Sequence, residues 1–474
     1  MISRLLFRIV LFLSDKPKWP LIGLLVFLIA APFAGIVGAR IYQSWDSDPA
    51  RGAAAIADGA FGESYAVPEY LDQGWDAANS LWFYTTTQGS ALLPYDFLLA
   101  LEQPGLNDRV ECERNGKTAA WFLCDRNIDR YRYLPQTSTL FNPDALPVGF
   151  ARETYGGKDY AGYTCAACHT GQVNFQGRAL RIDGGPAMAD MVGFLTELGR
   201  AMKLTQGLPD RKNPRLDRFV ETVLAIGNDY SDRAAIEADL ARWTNTVALY
   251  NNLNHPTYLA VDPATGKTTH RDIEYGYARL DAFGRIYNRV IEHAINREQV
   301  AAELSDVVGE DGAPLLTRDQ IDTVVADTGA LILHDEDFAR IVDRLTDLYP
   351  GAANAARRKD LLLRVRDKIF NAPNAPVSYP FLWDVPSSDY VQWNGLASDA
   401  GAGPLGRNAG EVIGVFGILD WQEDKRWLTR LTGFSLSALL SGQSNKKEQV
   451  YFKSSIDLFN LQRLESQLSS LVSP

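Results

Sequence analysis

Two of the four cysteines in this 474-residue chain stand in the string Cys165-Ala-Ala-Cys168-His169. Two thiols separated by two residues and followed at once by an imidazole have the arrangement of a c-type haem attachment site. Each sulfur adds to one vinyl group, and the histidine offers a nitrogen to the iron. The same cysteine spacing serves thioredoxin-like redox pairs, but those follow a strand of a βαβ unit and open a helix, whereas the approach here is Tyr155-Gly-Gly-Lys-Asp-Tyr160. A zinc site would need ligands from the distant Cys112 and Cys124. The expectation is one covalently attached haem and its iron, held by Cys165 and Cys168, with His169 as the metal ligand.

Cys112 and Cys124 flank Asn115-Gly116, a strong turn pair, so the chain can double back and bring the two sulfurs together. A disulfide is the expected use of this pair, in an oxidising compartment. His169 fills only one axial position of an iron. Met188, Met191 and Met202 follow the motif as distal candidates, although Met191 and Met202 also fall on the apolar stripe of a helix over 187–204. His255, His270, His293 and His334 read as surface or hydrogen-bonded residues.

From residue 187 apolar residues recur three or four apart, over 216–226, 233–250, 281–294, 318–327, 335–348 and 357–369. Thr317 and Gln320 have the spacing of a capping box. The fold class expected is therefore mainly α, with long irregular loops and no large sheet. The segment Tyr379 to Gly417 differs, being rich in Gly, Pro and aromatic residues at once. Such a stretch can wrap a flat cofactor. Trp383 and Trp393 would line a catalytic pocket with Arg407 and Glu411, and Arg407 is also a natural partner for a haem propionate.

The N-terminus carries a different signal. Trp19 to Ala39 is free of charge, and Arg4, Arg8, Lys16 and Lys18 precede it against Asp15 alone. That pattern predicts a cytoplasmic basic segment over 1–18, a transmembrane signal anchor over 19–42, a spacer over 43–69 and a periplasmic haem-binding domain over 70–474. The localisation expected is the inner membrane, single-pass, with Val37-Gly38-Ala39 leaving a cleavable signal peptide as the rival reading. The net charge is −11, with 58 Asp and Glu against 47 Lys and Arg, and no basic cluster follows the first segment, so a nucleic-acid partner is not expected.

The chain resembles the bacterial di-haem cytochrome c peroxidases, in the branch similar to the rubber oxygenases. The resemblance rests on DQGW (72–75), WFYTTTQGSALLPYDF (82–97), LPVGF (146–150), YTCAACHTGQ (163–172), RIDGGPA (181–187), YPFLWDVPSSDYVQWNG (379–395) and GPLGRNAGEV (403–412). It implies a cytochrome c-like core and a peroxidase-like or oxygenase-like redox activity on a bound haem. Two-haem relatives carry a second CxxCH, and this chain has no cysteine after Cys168. An external cytochrome as electron donor or acceptor is then implied. The alternative function is a mono-haem electron-transfer cytochrome without turnover of its own.

Overall fold

The computed structural model describes residues 19–105, 109–114, 116–208, 212–227, 230–265, 267–392, 395, 397–423 and 450–474. The longer helices are α1 (Trp19–Gln43), α2 (Ala77–Thr85), α3 (Met191–Gln206), α4 (Pro214–Ile226), α5 (Arg233–Leu253), α6 (Ala282–Ala294), α7 (Arg297–Ser305), α8 (Arg318–Val324), α9 (Asp335–Asp347), α10 (Ala355–Ile369), α11 (Gly403–Gly414) and α12 (Leu458–Leu468). Those expected from the apolar spacing form, as α3, α4, α5, α6, α8, α9 and α10, whereas α7 and α11 fall where no helix was expected. Thr317 and Gln320 make the capping box at the start of α8.

A mainly α fold with a cytochrome c-like core is not what these residues build. The chain is mixed α/β, 43% helix and 16% strand, with several small sheets. Two of these sheets hold the Cys165–His169 turn. Strand β2 (Leu93–Pro94) and the hairpin β3 (Phe150–Tyr155)–β4 (Lys158–Tyr163) form one, in the order β2-β4-β3. Strand β1 (Glu69–Tyr70) lies parallel to β6 (Arg178–Asp183), which pairs with β5 (Thr170–Phe175). Both hairpins close through pairs that tolerate positive φ, Gly156-Gly157 at 61° and 79° and Gln176-Gly177 at 50° and 78°. Six-residue strands are too short to give a long alternating pattern, so the helical spacing dominates the sequence while the turn chemistry makes the sheets.

The single-pass inner-membrane placement, with its periplasmic main domain, is likewise corrected. Helix α1 forms, but among the described residues no helix is long and apolar enough to cross a membrane. Its last turns carry Arg40, Tyr42 and Gln43, and they are fastened to the domain. The Tyr42 ring lies 4.8 Å from Phe141, and Arg463 donates to Gln43 Oε1 at 3.3 Å. The stretch read as a spacer is also packed down. Asp46 is buried and accepts from Thr139 Oγ1 and the Phe141 amide, at 2.8 and 2.9 Å.

The core is divided. One cluster joins Leu93, Phe97 and Phe122 to the aromatic residues Tyr133, Phe150, Tyr163 and Phe194 and to α3 and α5. A second fills the helical region 249–370, with Val300, Leu304, Ile341 and Leu361. A third brings Trp82, Phe83 and Tyr84 of α2 against Val148, Ala166 and Leu464, and Cys165 and Trp383 pack on it. This last cluster is the floor of the site.

One glycine decides how closely the floor approaches the cysteine turn. Gly149 has φ +84°, and a Cβ there would stand 2.0 Å from the Ala167 backbone nitrogen. Its carbonyl accepts from the Thr164 amide at 2.8 Å. Gly149→Ala is expected to cost about 2–4 kcal/mol, from left-handed strain plus overlap in a packed core. A urea midpoint unchanged from wild type would contradict this close approach.

Candidate functional site

Cys165–Ala167 form a single 3-10 turn between β4 and β5, closed by hydrogen bonds from the Cys168 and His169 amides to the Cys165 carbonyl at 3.2 and 3.0 Å. The turn is held from outside as well. Thr164 Oγ1 donates to the Tyr84 carbonyl at 3.2 Å, and β6 is anchored through buried Asp183 by Arg51 Nη1 at 2.9 Å, Ser80 Oγ and Tyr84. Both thiols on the turn are free, whereas Cys112 and Cys124 are joined by a disulfide.

The imidazole of His169 is orientated by a residue far away in sequence. Its Nδ1 lies 2.8 Å from the Pro380 carbonyl oxygen. A carbonyl only accepts, so Nδ1 carries the proton and Nε2 presents its lone pair, the tautomer that a metal requires. Desolvation lowers the pKa of His169 to about 4, with nearby Arg407 adding to the effect against the pull of the Pro380 carbonyl. Burial likewise pushes the Cys165 and Cys168 thiols up to about 12. All three residues are half-buried despite this desolvation, and Glu411 is exposed. Side chains that are surrounded by protein yet remain touchable line a recess.

The candidates from the aromatic segment do not all reach it. Trp383 packs on the floor beside Cys165, and its ring stacks on Phe381 at 4.8 Å. Glu411 acts on the titration of both cysteines, and burial raises its own carboxyl. Trp393 lies outside the described residues. Arg407 is near His169, but its fork is spent. It pairs with Asp399 at 2.8 Å and Glu465 at 2.9 Å, and Nε donates to Asn408 at 3.0 Å. A propionate would have to compete with both carboxylates.

Three buried groups missed from the sequence surround the thiols. Gln88 accepts from Cys165 Sγ at 3.3 Å, and its Nε2 has no partner among the described residues. Glu465 Oε1 is likewise without one. Arg285, on α6, is buried with Nε and Nη1 unpartnered, its guanidinium 5.2 Å from the Tyr250 ring centroid and close enough to lower the Cys168 pKa. Buried donors without acceptors are rare. A haem fits this donor set, with two thiols, a metal-ready imidazole and an unsatisfied buried cation for a carboxylate. No sequence signal marks Arg285, because a single arginine on an amphipathic helix reads as solvated.

The other candidates lie elsewhere. Met191 and Met202 are in the core and Met188 is 51% exposed. His270 pairs with Asp360 at 3.1 Å and His255 Nδ1 with Thr257 Oγ1 at 3.0 Å. Among the described residues, a cavity of about 890 Å³ bordered by Tyr95, Arg114, Arg152 and Trp243 contains no part of the motif.

Comparison with known proteins adds one relative. A protein of Sinorhizobium fredii (strain NBRC 101917 / NGR234), described as uncharacterized protein y4iJ, is 25% identical over 364 residues, covering 73% of this chain and 44% of that protein. The chain thus spans less than half of that relative's length. No family model and no solved structure matches.

The His169 geometry predicts a pH signature in the Cys165→Ala/Cys168→Ala background. Between its ordinary value of 6.5 and about 4, the unfolded chain binds a proton that the folded chain refuses. Stability is therefore lost as pH falls through that window, by on the order of 2 kcal/mol. Urea midpoints at pH 7 and pH 4.5, with and without an added His169→Gln, check this. An equal loss in both proteins would rule out His169 as the source.

Proposed function

We propose that the chain is a c-type haem protein with peroxidase-like or oxygenase-like redox activity, the haem tethered through Cys165 and Cys168 and ligated by His169. The observation that carries this reading is the hydrogen bond from His169 Nδ1 to the Pro380 carbonyl, which leaves the Nε2 lone pair available on a histidine next in sequence to a pair of free thiols. When bound, the haem supplies an iron that exchanges electrons and takes up peroxide or dioxygen.

The chain's own residues would do the rest. Pro380 fixes the ring plane and tautomer of His169. Arg285 would accept a cofactor carboxylate, satisfying its unpartnered Nε and Nη1. Trp383, backed by Phe381, shields the Cys165 side from water. Burial raises the carboxyl of Glu411 while Arg407 pulls it back, which suits a group that holds a proton at its carboxyl oxygen and releases it on demand. Electrons would come from or go to a separate cytochrome, the partner that the family resemblance implies.

The electron-carrier reading has less support. Met191 and Met202 are buried in the aromatic core rather than lining the recess.

Three measurements test the proposal. Denaturing electrophoresis with haem staining is expected to show retained haem in wild type and none in Cys165→Ala/Cys168→Ala; stain kept by the double variant removes the tether. The ferrous protein is expected to be five-coordinate, high-spin and able to bind CO, and a low-spin methionine-type spectrum would transfer the case to the carrier. Glu411→Gln is expected to keep its haem while losing about 100-fold or more in peroxide turnover. Unaltered turnover would discard Glu411 as the proton-holding group.

A further inference from the structure

Helix α6 buries a face made of polar residues, Arg285, Asn288, Arg289 and Glu292. Its first half serves the recess described above, and its last turn meets the start of α9. There Glu292, His293 and Asp335 each present a ligand atom, and the three atoms lie within 4.8 Å of one another. Two carboxylates and an imidazole at that separation would converge on one ion after side-chain shifts of about an ångström, since ligand atoms around zinc sit at about 2.0–2.2 Å from it.

A second observation points to a ligand independently of the acidic pair. His293 Nε2 is shut off from solvent and has no hydrogen-bond partner among the described residues. A sealed imidazole nitrogen with nothing to bind is an anomaly in a satisfied core, and here it stands beside two carboxylates. The surrounding contacts orientate the ligands as outer partners of a metal site do. Thr246 Oγ1, on α5, donates to Asp335 Oδ2 at 2.8 Å, and Arg289 Nη1 pairs with Glu292 Oε2 at 2.7 Å. Asp335 also borders a cavity of about 390 Å³, together with Thr246, Arg340 and Asp343.

We propose that Glu292, His293 and Asp335 form a binding site for a divalent first-row transition cation at the junction of α6 and α9. Mixed nitrogen and oxygen donors suit zinc and its neighbours better than calcium or magnesium. Three protein ligands leave a fourth position for water. The Arg289 charge offsets one of the two carboxylates, which keeps the site from being a general trap for cations. This site does not rest on the haem reading and shares no ligand with it.

The test is equilibrium dialysis of the full chain against zinc, with metal analysis, after stripping with chelator. Wild type is expected to retain one equivalent that Cys165→Ala/Cys168→Ala also retains, with affinity at least about tenfold weaker in His293→Ala and in Asp335→Asn. Asp335 is only partly buried, so Asp335→Asn keeps the question open to refutation should His293→Ala not fold. A zinc-dependent rise in melting temperature in wild type, lost in Asp335→Asn, is the second readout. No retained zinc, wild-type affinity in both variants, or zinc lost only with the cysteines would each overturn the site, the last by placing the metal on the thiols.

Discussion

One hydrogen bond ties the two halves of the recess together. The Pro380 carbonyl at 2.8 Å from His169 Nδ1 spans 211 residues of sequence and selects the imidazole tautomer. It can form only because the cysteine turn sits at a fixed height, and Gly149 sets that height by letting the backbone pass against Ala167 with no Cβ between them. A deviation in either contact would tilt the ring that the thiols flank. The strings around Gly149, Tyr84 and Pro380, far apart in the chain, thus act as one clamp on five residues.

Helix α6 carries the second constraint. Its buried face is polar at 285, 288, 289 and 292, the spacing that normally belongs to leucines. Burying such groups costs free energy unless each finds a partner, so the helix must be surrounded by complementary chemistry. Asn288 finds it in Asn254 and the Asn371 carbonyl, and Arg289 in Glu292. Arg285 Nε and Nη1 and His293 Nε2 do not find it among the described residues. The unsatisfied groups lie toward the two ends of the helix, one beside the thiols and the other beside Asp335. Ile291 on the same helix packs on the helical core at 249–370.

Element by element, the long helices of the middle of the chain were readable because they repeat an apolar residue over several turns, as in α5 and α9, whereas α7 and α11 were not. The hairpins were not, because six-residue strands closed by Gly156-Gly157 and Gln176-Gly177 leave too short a pattern to stand out from the turns around them. Charge-free Trp19 to Ala39 suggested a span, while the packing of Tyr42 and Gln43 on Phe141 and Arg463 is a long-range contact that hydropathy does not encode. Arg407 shows the same limit within the site. Its residue type suits a propionate, and only the fold reveals that Asp399 and Glu465 already occupy its fork.

The order Cys-Ala-Ala-Cys-His, the separate cysteine pair and the apolar periods are local properties, complete within a few residues, and they were available from the chain alone. Which groups surround the thiols, which tautomer His169 adopts and which buried donors go unanswered depend on residues brought together across long stretches of chain, 77 positions from Gln88 to Cys165 and 211 from His169 to Pro380. Hydrogen-bond satisfaction is a property of the whole packed neighbourhood, because a donor's worth depends on the acceptors and water around it. For that reason the motif could be read in one dimension and its setting only in three.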